Sequence, residues 1–225
     1  MNVAVVDIWK IDLSGVTLAE DQVNLLSNAE RTRAERFRFD AERLRYIASH
    51  VAVRCILAKY ADRNAGCLQF REGANGKPEL AESSLQHNLA HSGDLALLAV
   101  SAGEPVGIDL EKRRWVPDAM DIAERMFSHR ECQIIGAAAK PHRSDLFLRC
   151  WTAKEGVLKT TGKGLSGAPK SFDVSAVLHG GEALGPWPDD SDRVWVVRGL
   201  DLGADYFGAV GRGGNLGRIE FHSWE

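Results

Sequence analysis

The run Leu95–Ser101, LALLAVS, is the segment that most restricts how this chain can fold. It is far shorter than the roughly 20 apolar residues a membrane span needs. An almost wholly apolar piece of this length has to be a buried strand. Turn residues flank it, with HSGD at His91–Asp94 before it and AGEP at Ala102–Pro105 after it. Together, Gln86–Ser101 and Val106–Glu111 therefore read as a three-stranded antiparallel meander, which places a core at the middle of the chain.

The rest of the chain must supply what covers that core. At 225 residues there is room for one large domain or two small ones. A hydrophobic content of 44% and a net charge of −3 fit a soluble globular protein and give no global reason to expect nucleic acid. Cys55, Cys67, Cys132 and Cys150 have neither CxxC pairing nor ligand-like spacing, so neither a zinc site nor a disulfide framework is expected. The first residues, MNVAVVDIWKIDLSG, are interrupted too early by Asp7 for a signal peptide. With no membrane span in view, a cytoplasmic location is expected.

Helical spacing is clearest over Asp40–Tyr60, where Leu44, Ile47, Val51, Cys55 and Leu57 or Ala58 recur on one side and Asp40 is positioned as a cap. A further helix is expected over Leu18–Arg33. Between them ERTRAERFRFDAERLR holds six arginines and four acids in sixteen residues. This is a solvated ion-paired face, or an anion-binding fork at Arg31 and Arg33. In the second half, Ser128 and Glu131 have capping-box spacing at the start of a helix over Phe127–Gly136. Ser144 or Asp145 is expected to cap a long helix carrying Leu146, Leu148, Cys150, Val157 and Leu158. Strands are expected at Val3–Leu13, within Leu68–Leu80, from Phe172, and at Val194–Leu200, Tyr206–Val210 and Arg218–Trp224, with a loop over His179–Asp192. Each half thus offers helices and an antiparallel sheet, giving a two-lobed α+β architecture with a boundary near Ser101–Pro105, residues 1–104 and 105–225.

Two segments carry chemistry. In VGIDLE, alternation puts Gly107, Asp109 and Glu111 on one face of a strand, so two carboxylates lie close enough to share a divalent cation, for which magnesium is the natural choice. A solvated acidic edge is the alternative. In WTAKEGVLKTTGKGL, Trp151–Leu165, Glu155 and Lys159 are four apart and share a helix face, while Gly162 and Gly164 end the helix. Here the plain reading is a surface ion pair. GANGKP is not a nucleotide-hydrolase loop: Pro78 follows Lys77 where a Ser or Thr would hold magnesium, yet Lys77 on a glycine turn still suits a phosphate. Carboxylates for a cation plus several cations for phosphate make up the inventory of phosphoryl-group transfer.

The ordered series GKP, NLAHS, GIDLE and WTAKEGVLKTTGKGL resembles the Sfp-type 4′-phosphopantetheinyl transferase family over roughly residues 30–172. The resemblance implies two similar lobes related by a pseudo-twofold axis, with the active site in the cleft between them. It also implies transfer of the phosphopantetheine arm of coenzyme A to a serine of an apo acyl or peptidyl carrier protein, releasing 3′,5′-ADP. By motif position, Asp109, Glu111 and Glu155 would bind magnesium. Glu155 would also act toward the carrier serine, and Lys159 would bind pyrophosphate. Arg33, Lys77 and His91 would take the 3′-phosphate, with Arg71 at the rim, and Pro78, Asn88 and Ser92 would complete the coenzyme A set. Arg31 or Arg45 is an alternative to Arg33, and Lys154 has no assigned role. Ala90 stands where the family often has Ser, which removes one hydroxyl contact. Leu165–Val177 corresponds to the carrier-docking region. Because one chain holds both lobes, a monomer is expected. A metal-dependent phosphohydrolase and a non-catalytic nucleotide- or anion-binding module are the competing readings, and nothing in the residues selects among fatty acid, polyketide and peptide carriers.

Overall fold

The computed structural model describes residues 4–73, 76–164, 168–188 and 190–224. Outside them lie Val3 of the expected first strand, Ala74 and Asn75 of the glycine turn, and Leu165–Gly167 at the end of the long-helix stretch and the start of the docking region.

In chain order the elements are β1 (Val5–Asp12), α1 (Glu20–Val23), α2 (Asn28–Ala34), α3 (Asp40–Ala61), β2 (Phe70–Glu72), β3 (Pro78–Leu80), β4 (Leu85–Ser92) and β5 (Leu95–Ala102). There follow β6 (Val106–Lys112), α4 (Ala119–Met126), α5 (His129–Ala137), α6 (Lys140–Thr161), β7 (Glu182–Trp187), β8 (Asp190–Leu200), β9 (Tyr206–Gly213) and β10 (Arg218–Trp224). No helix among the described residues is long and apolar enough to cross a membrane.

A repeat is built into this order. The succession β1–α3–β4–β5 gives a sheet ordered β1-β5-β4, and β6–α6–β8–β9 gives one ordered β6-β9-β8. In both halves a helix of 22 residues packs on the sheet. The chain is therefore α+β with two similar lobes. The C-terminal strand breaks the simple division into halves: β10 returns to the first lobe and pairs in parallel with β1, Asp7 opposite Glu220 and Trp9 opposite His222.

Alternation along the strands builds four layers. From β5, Ala96, Leu98 and Val100 pack with Ile56 and Leu57 of α3. The opposite face, Leu97 and Ala99, meets Val106, Ile108 and Leu110 of β6 and Val210 of β9, forming the core between the lobes. Trp195, Val197 and Ala209, on the far side of the second sheet, pack with Leu148, Ala153 and Val157 of α6. LALLAVS is therefore buried on both faces, which explains its lack of polar alternation.

Several expectations need correction. The three-stranded meander breaks after β5, because β6 leaves to pair antiparallel with β9. β4 is joined to β6 by side chains instead: Ile108 N donates to Asn88 Oδ1 at 2.8 Å and Lys112 N to Ser92 Oγ at 2.9 Å. The expected helix Leu18–Arg33 is split at Ser27, whose hydroxyl and Glu30 form a capping box that starts α2. Asp40 is the first residue of α3 rather than its cap, with Phe39 before it, and pairs with Arg43. Ser144 and Asp145 lie inside α6, which begins at Lys140 with Pro141 in its first turn. Ser144 Oγ accepts from Val116 N at 3.0 Å, and Asp145 pairs with Arg113. After Phe172 there is a 3₁₀ turn, Ser175–His179, in place of a strand, and the expected loop His179–Asp192 contains β7. The capping box at Ser128 and Glu131 starts α5 as expected.

Candidate active site

Glycine decides how close α6 lies to the sheet. A Cβ on Gly107 would sit 2.3 Å from Thr160 N and 2.4 Å from Gly156 O, and one on Gly211 2.5 Å from Thr160 Oγ1. Only residues without side chains permit this approach, and it is what sets Glu155 and Lys159 beside Asp109, two residues along from Gly107. Gly107→Ala is expected to push the last turns of α6 off the sheet. Overpacking of this kind costs about 1–3 kcal/mol, and displacement of reacting groups by about 1 Å costs on the order of 100-fold in rate. Thermal melts beside turnover measurements would show a rate loss larger than the stability loss implies. Gly162, with φ +68°, then ends α6 in the left-handed region as the sequence suggests.

Asp109 is the best-buried acid of the group, 8% exposed. Lys159 Nζ donates to its Oδ1 at 2.7 Å and to Ile108 O at 3.2 Å. Its other oxygen, Oδ2, is buried without a hydrogen-bond partner. Glu111 Oε2 accepts from Arg114 at 2.6 Å and from Ser92 Oγ at 3.3 Å. Burial pushes the Asp109 carboxyl above its ordinary value, Lys159 pulls it back, and Glu111 adds to the rise. Burial likewise raises Glu155, reinforced by the charges of Asp109 and Glu111 against the pull of Lys159. Asp109, Glu111 and Glu155 thus bring together carboxylates that repel one another, with one buried oxygen of Asp109 lacking a hydrogen bond. Their donor chemistry is of the hard-oxygen kind magnesium takes, although their oxygens do not all lie within 4.8 Å of one another. The i,i+4 pair that the helix permits is not formed; Lys159 pairs with Asp109 across to the strand instead.

Beside this cluster, a groove of about 1450 Å³ opens between α2, α3 and the strands β2, β3 and β4. Arg33, Arg71, Pro78, Asn88 and His91 all line it. Of the alternatives to Arg33, Arg31 donates to Asn28 Oδ1 at 2.8 Å and Arg45 is held by Asp94, so Arg33 is the one that faces the groove. Arg33 lies over the Tyr46 ring at 5.8 Å. Arg71 is exposed and pairs with Glu79 at 3.0 Å. His91 is held below the usual histidine value by partial burial and then by the charges of Lys159 and Arg45.

Lys77 and Ser92 are set apart from the groove. Lys77 Nζ donates to Val106 O at 2.7 Å and to the backbone oxygen of Lys159 at 2.9 Å, tying the N-terminal lobe to both β6 and the end of α6. Burial lowers its pKa to about 8, so it stays mostly cationic at neutral pH with one N–H left over. Ser92 reaches Glu111 rather than the groove.

Two family profiles match this chain in tandem: the 4′-phosphopantetheinyl transferase N-terminal profile over residues 16–103 and the 4′-phosphopantetheinyl transferase superfamily profile over residues 105–210. The chain is 37% identical over 166 residues to the 4′-phosphopantetheinyl transferase HetI of Nostoc sp., covering 72% of this chain and 70% of that protein. It belongs to the 4′-phosphopantetheinyl transferase superfamily. It is also 34% identical over 186 residues to the 4′-phosphopantetheinyl transferase psf-1 of Bacillus pumilus, covering 82% and 78% of the two chains. Against a putative 4′-phosphopantetheinyl transferase of Synechocystis sp. the identity is 37%, over 64% of this chain and 59% of that one.

Some residues of this family member escaped the sequence reading. Arg36, Phe37, Tyr46 and His50 line the groove. In the arginine run only three-dimensional register separates Arg33 and Arg36 from neighbours that face solvent. Lys154 is 2% exposed and pairs with the fully buried Glu131 at 2.9 Å. Its ammonium also donates to Pro169 O at 2.8 Å and Phe172 O at 2.7 Å, so its place is structural, anchoring the segment after α6. His87 sits under the groove with Nδ1 buried and unpaired. Burial, then the charge of Lys77, lowers its pKa to about 4. Folded His87 thus stays neutral while the unfolded chain takes a proton below about pH 6.5. Stability is fully present above that pH and falls as pH drops toward 4, by about 3 kcal/mol at most. Urea melts from pH 7 to pH 4 should show this loss, reduced in His87→Leu.

Proposed function

We propose that the protein transfers the 4′-phosphopantetheine arm of coenzyme A to a serine of an apo acyl or peptidyl carrier protein in the presence of magnesium, releasing 3′,5′-ADP, as a cytoplasmic monomer. The observation that carries this reading is the unpaired, buried Oδ2 of Asp109, whose carboxylate is bonded to Lys159 through Oδ1 and repels those of Glu111 and Glu155, beside a groove lined by Arg33, Arg71 and His91. Family membership supplies the reaction class.

In this reading Asp109, Glu111 and Glu155 hold the magnesium, which when bound would neutralise charge on the pyrophosphate oxygens. Lys159 has one N–H beyond its bonds to Asp109 and Ile108 and gives it to a pyrophosphate oxygen, where negative charge grows as the bond to the leaving 3′,5′-ADP breaks. A carboxylate oxygen of Glu155 accepts the proton of the carrier serine, directly or through water, and the environment that raises its affinity for protons improves it for that step. Arg33 and His91 hold the 3′-phosphate and position the nucleotide end.

Product analysis tests the reaction. Release of 3′,5′-ADP should require the apo carrier, whereas release from coenzyme A alone would identify a phosphohydrolase. A second assay tests the groove. Wild type should prefer coenzyme A to its 3′-dephospho form, and Arg33→Ala should lose about tenfold to 100-fold in kcat/KM with coenzyme A while changing little with the dephospho form, as expected for a charged hydrogen bond worth about 1.5–3 kcal/mol. Equal losses with both would remove Arg33 from the phosphate.

A further inference from the structure

A second group of metal-ligand side chains lies on the other lobe, on the α3 side of the first sheet. Asp7 of β1 and Glu220 and His222 of β10 each place a ligand atom within 4.8 Å of the other two, the one such cluster of three among the described residues. Parallel pairing sets Asp7 directly opposite Glu220, with His222 two residues on from Glu220. Side chains two apart on a strand share a face, so all three project the same way. His222 Nε2 lies 2.7 Å from Asp7 Oδ1.

The surroundings fix the histidine. Its ring stacks on Trp9 at 4.7 Å between centroids, and Trp9 Nε1 donates to Tyr60 Oη at 3.0 Å. Lys59 lies over both Trp9 and Trp224, closing the wall on the α3 side. Two carboxylates directly opposite each other across a strand pair repel. Arg218 offsets Glu220 alone, and it lies at the exposed edge. One imidazole nitrogen, oriented by stacking, with two carboxylates on a half-buried face is a three-ligand N/O set that leaves room for water. That set suits a borderline first-row cation better than magnesium.

We propose that Asp7, Glu220 and His222 form a binding site for a divalent first-row transition metal, zinc by ligand type, separate from the Asp109 cluster. The ion would clip the last strand, β10, to the first, β1, and so bind the chain's C-terminal strand into the N-terminal lobe. Its role is structural, because none of the residues that line the groove or hold Asp109 belong to it.

The test uses the full-length, metal-stripped protein with millimolar magnesium present to satisfy the hard-oxygen site. Calorimetry should show one zinc ion bound per chain, and Co²⁺ should give visible absorption of a four- or five-coordinate complex. His222→Gln and Asp7→Asn should each weaken zinc binding about 100-fold or more and abolish the Co²⁺ spectrum, while transferase turnover with magnesium, which also reports folding, is unchanged. Zinc should raise the melting temperature of wild type alone. Absence of zinc binding in wild type, or equal binding by wild type and both variants, overturns the proposal.

Discussion

Glu155→Gln is expected to fold normally and to lose on the order of 100- to 1000-fold or more in kcat. The substitution keeps the shape of the side chain and relieves its repulsion with Asp109 and Glu111, so stability should hold or rise slightly. In the proposed reaction what it removes is a charge that would act on the reacting groups, and deletion of one such electrostatic element typically costs this much. Asp109→Asn should be comparably inactive, and it should weaken the response to magnesium more, because Asp109 contributes the buried oxygen with no other partner. The check is turnover against magnesium concentration for wild type and both variants, with melting curves alongside. A Glu155→Gln enzyme that turns over within about threefold of wild type would mean the carboxylate serves neither metal nor proton.

Lys154→Met should have the opposite profile: a large loss of stability with chemistry preserved where the protein stays folded. Lys154 lies one residue from Glu155, but its ammonium is committed to Glu131, Pro169 O and Phe172 O, and lies over the Phe172 ring at 4.5 Å. Removing it leaves a fully buried carboxylate unpaired, at a cost of about 3–5 kcal/mol. In a chain of this size that corresponds to a fall of roughly 10 °C in melting temperature. Glu131 has further duties, accepting from Ser128 N at 2.7 Å and Val174 N at 2.6 Å. The double variant Lys154→Met, Glu131→Leu should therefore recover much of the loss but not all, stopping short by roughly the value of a helix cap, about 1 kcal/mol. Guanidinium melts of the two single variants and the double one decide it. If Lys154→Met instead kept its stability and lost turnover at 20 °C, this lysine would belong to the chemistry.

The sequence made some of this architecture legible because local physics and the fold agree. LALLAVS had to be buried, GIDLE had to alternate, and Gly162 had to end a helix. β8, β9 and β10 were legible for the same reason, whereas β7 lay in an expected loop and the strand expected from Phe172 is a 3₁₀ turn. What stayed hidden depends on partners distant in the chain. β6 leaves the expected meander because β9, about a hundred residues on, supplies its hydrogen bonds, and nothing in VGIDLE announces that choice. β10 likewise reaches back to β1. Within the site, strand and helix periodicity put Asp109 with Glu111 and Glu155 with Lys159, but the salt bridge that forms joins the two pairs, Lys159 to Asp109. Lys77 was legible as a cation on a turn, yet its carbonyl partners at Val106 and Lys159 follow only from the packing of one lobe on the other. Arg54 was invisible among the helix-forming residues of α3, although it is 1% exposed and pairs with Glu30 at 2.7 Å beneath the groove.

Mass spectrometry of an apo carrier protein after incubation with the full-length chain tests the central claim most directly. With coenzyme A and magnesium, the carrier should gain the mass of one phosphopantetheine group on its serine. Without magnesium, or with Glu155→Gln in place of wild type, that gain should be absent or slower by at least about two orders of magnitude. An unmodified carrier across acyl and peptidyl types, with coenzyme A and magnesium both present, would contradict the assignment of Asp109, Glu111, Glu155 and Lys159 to phosphopantetheinyl transfer.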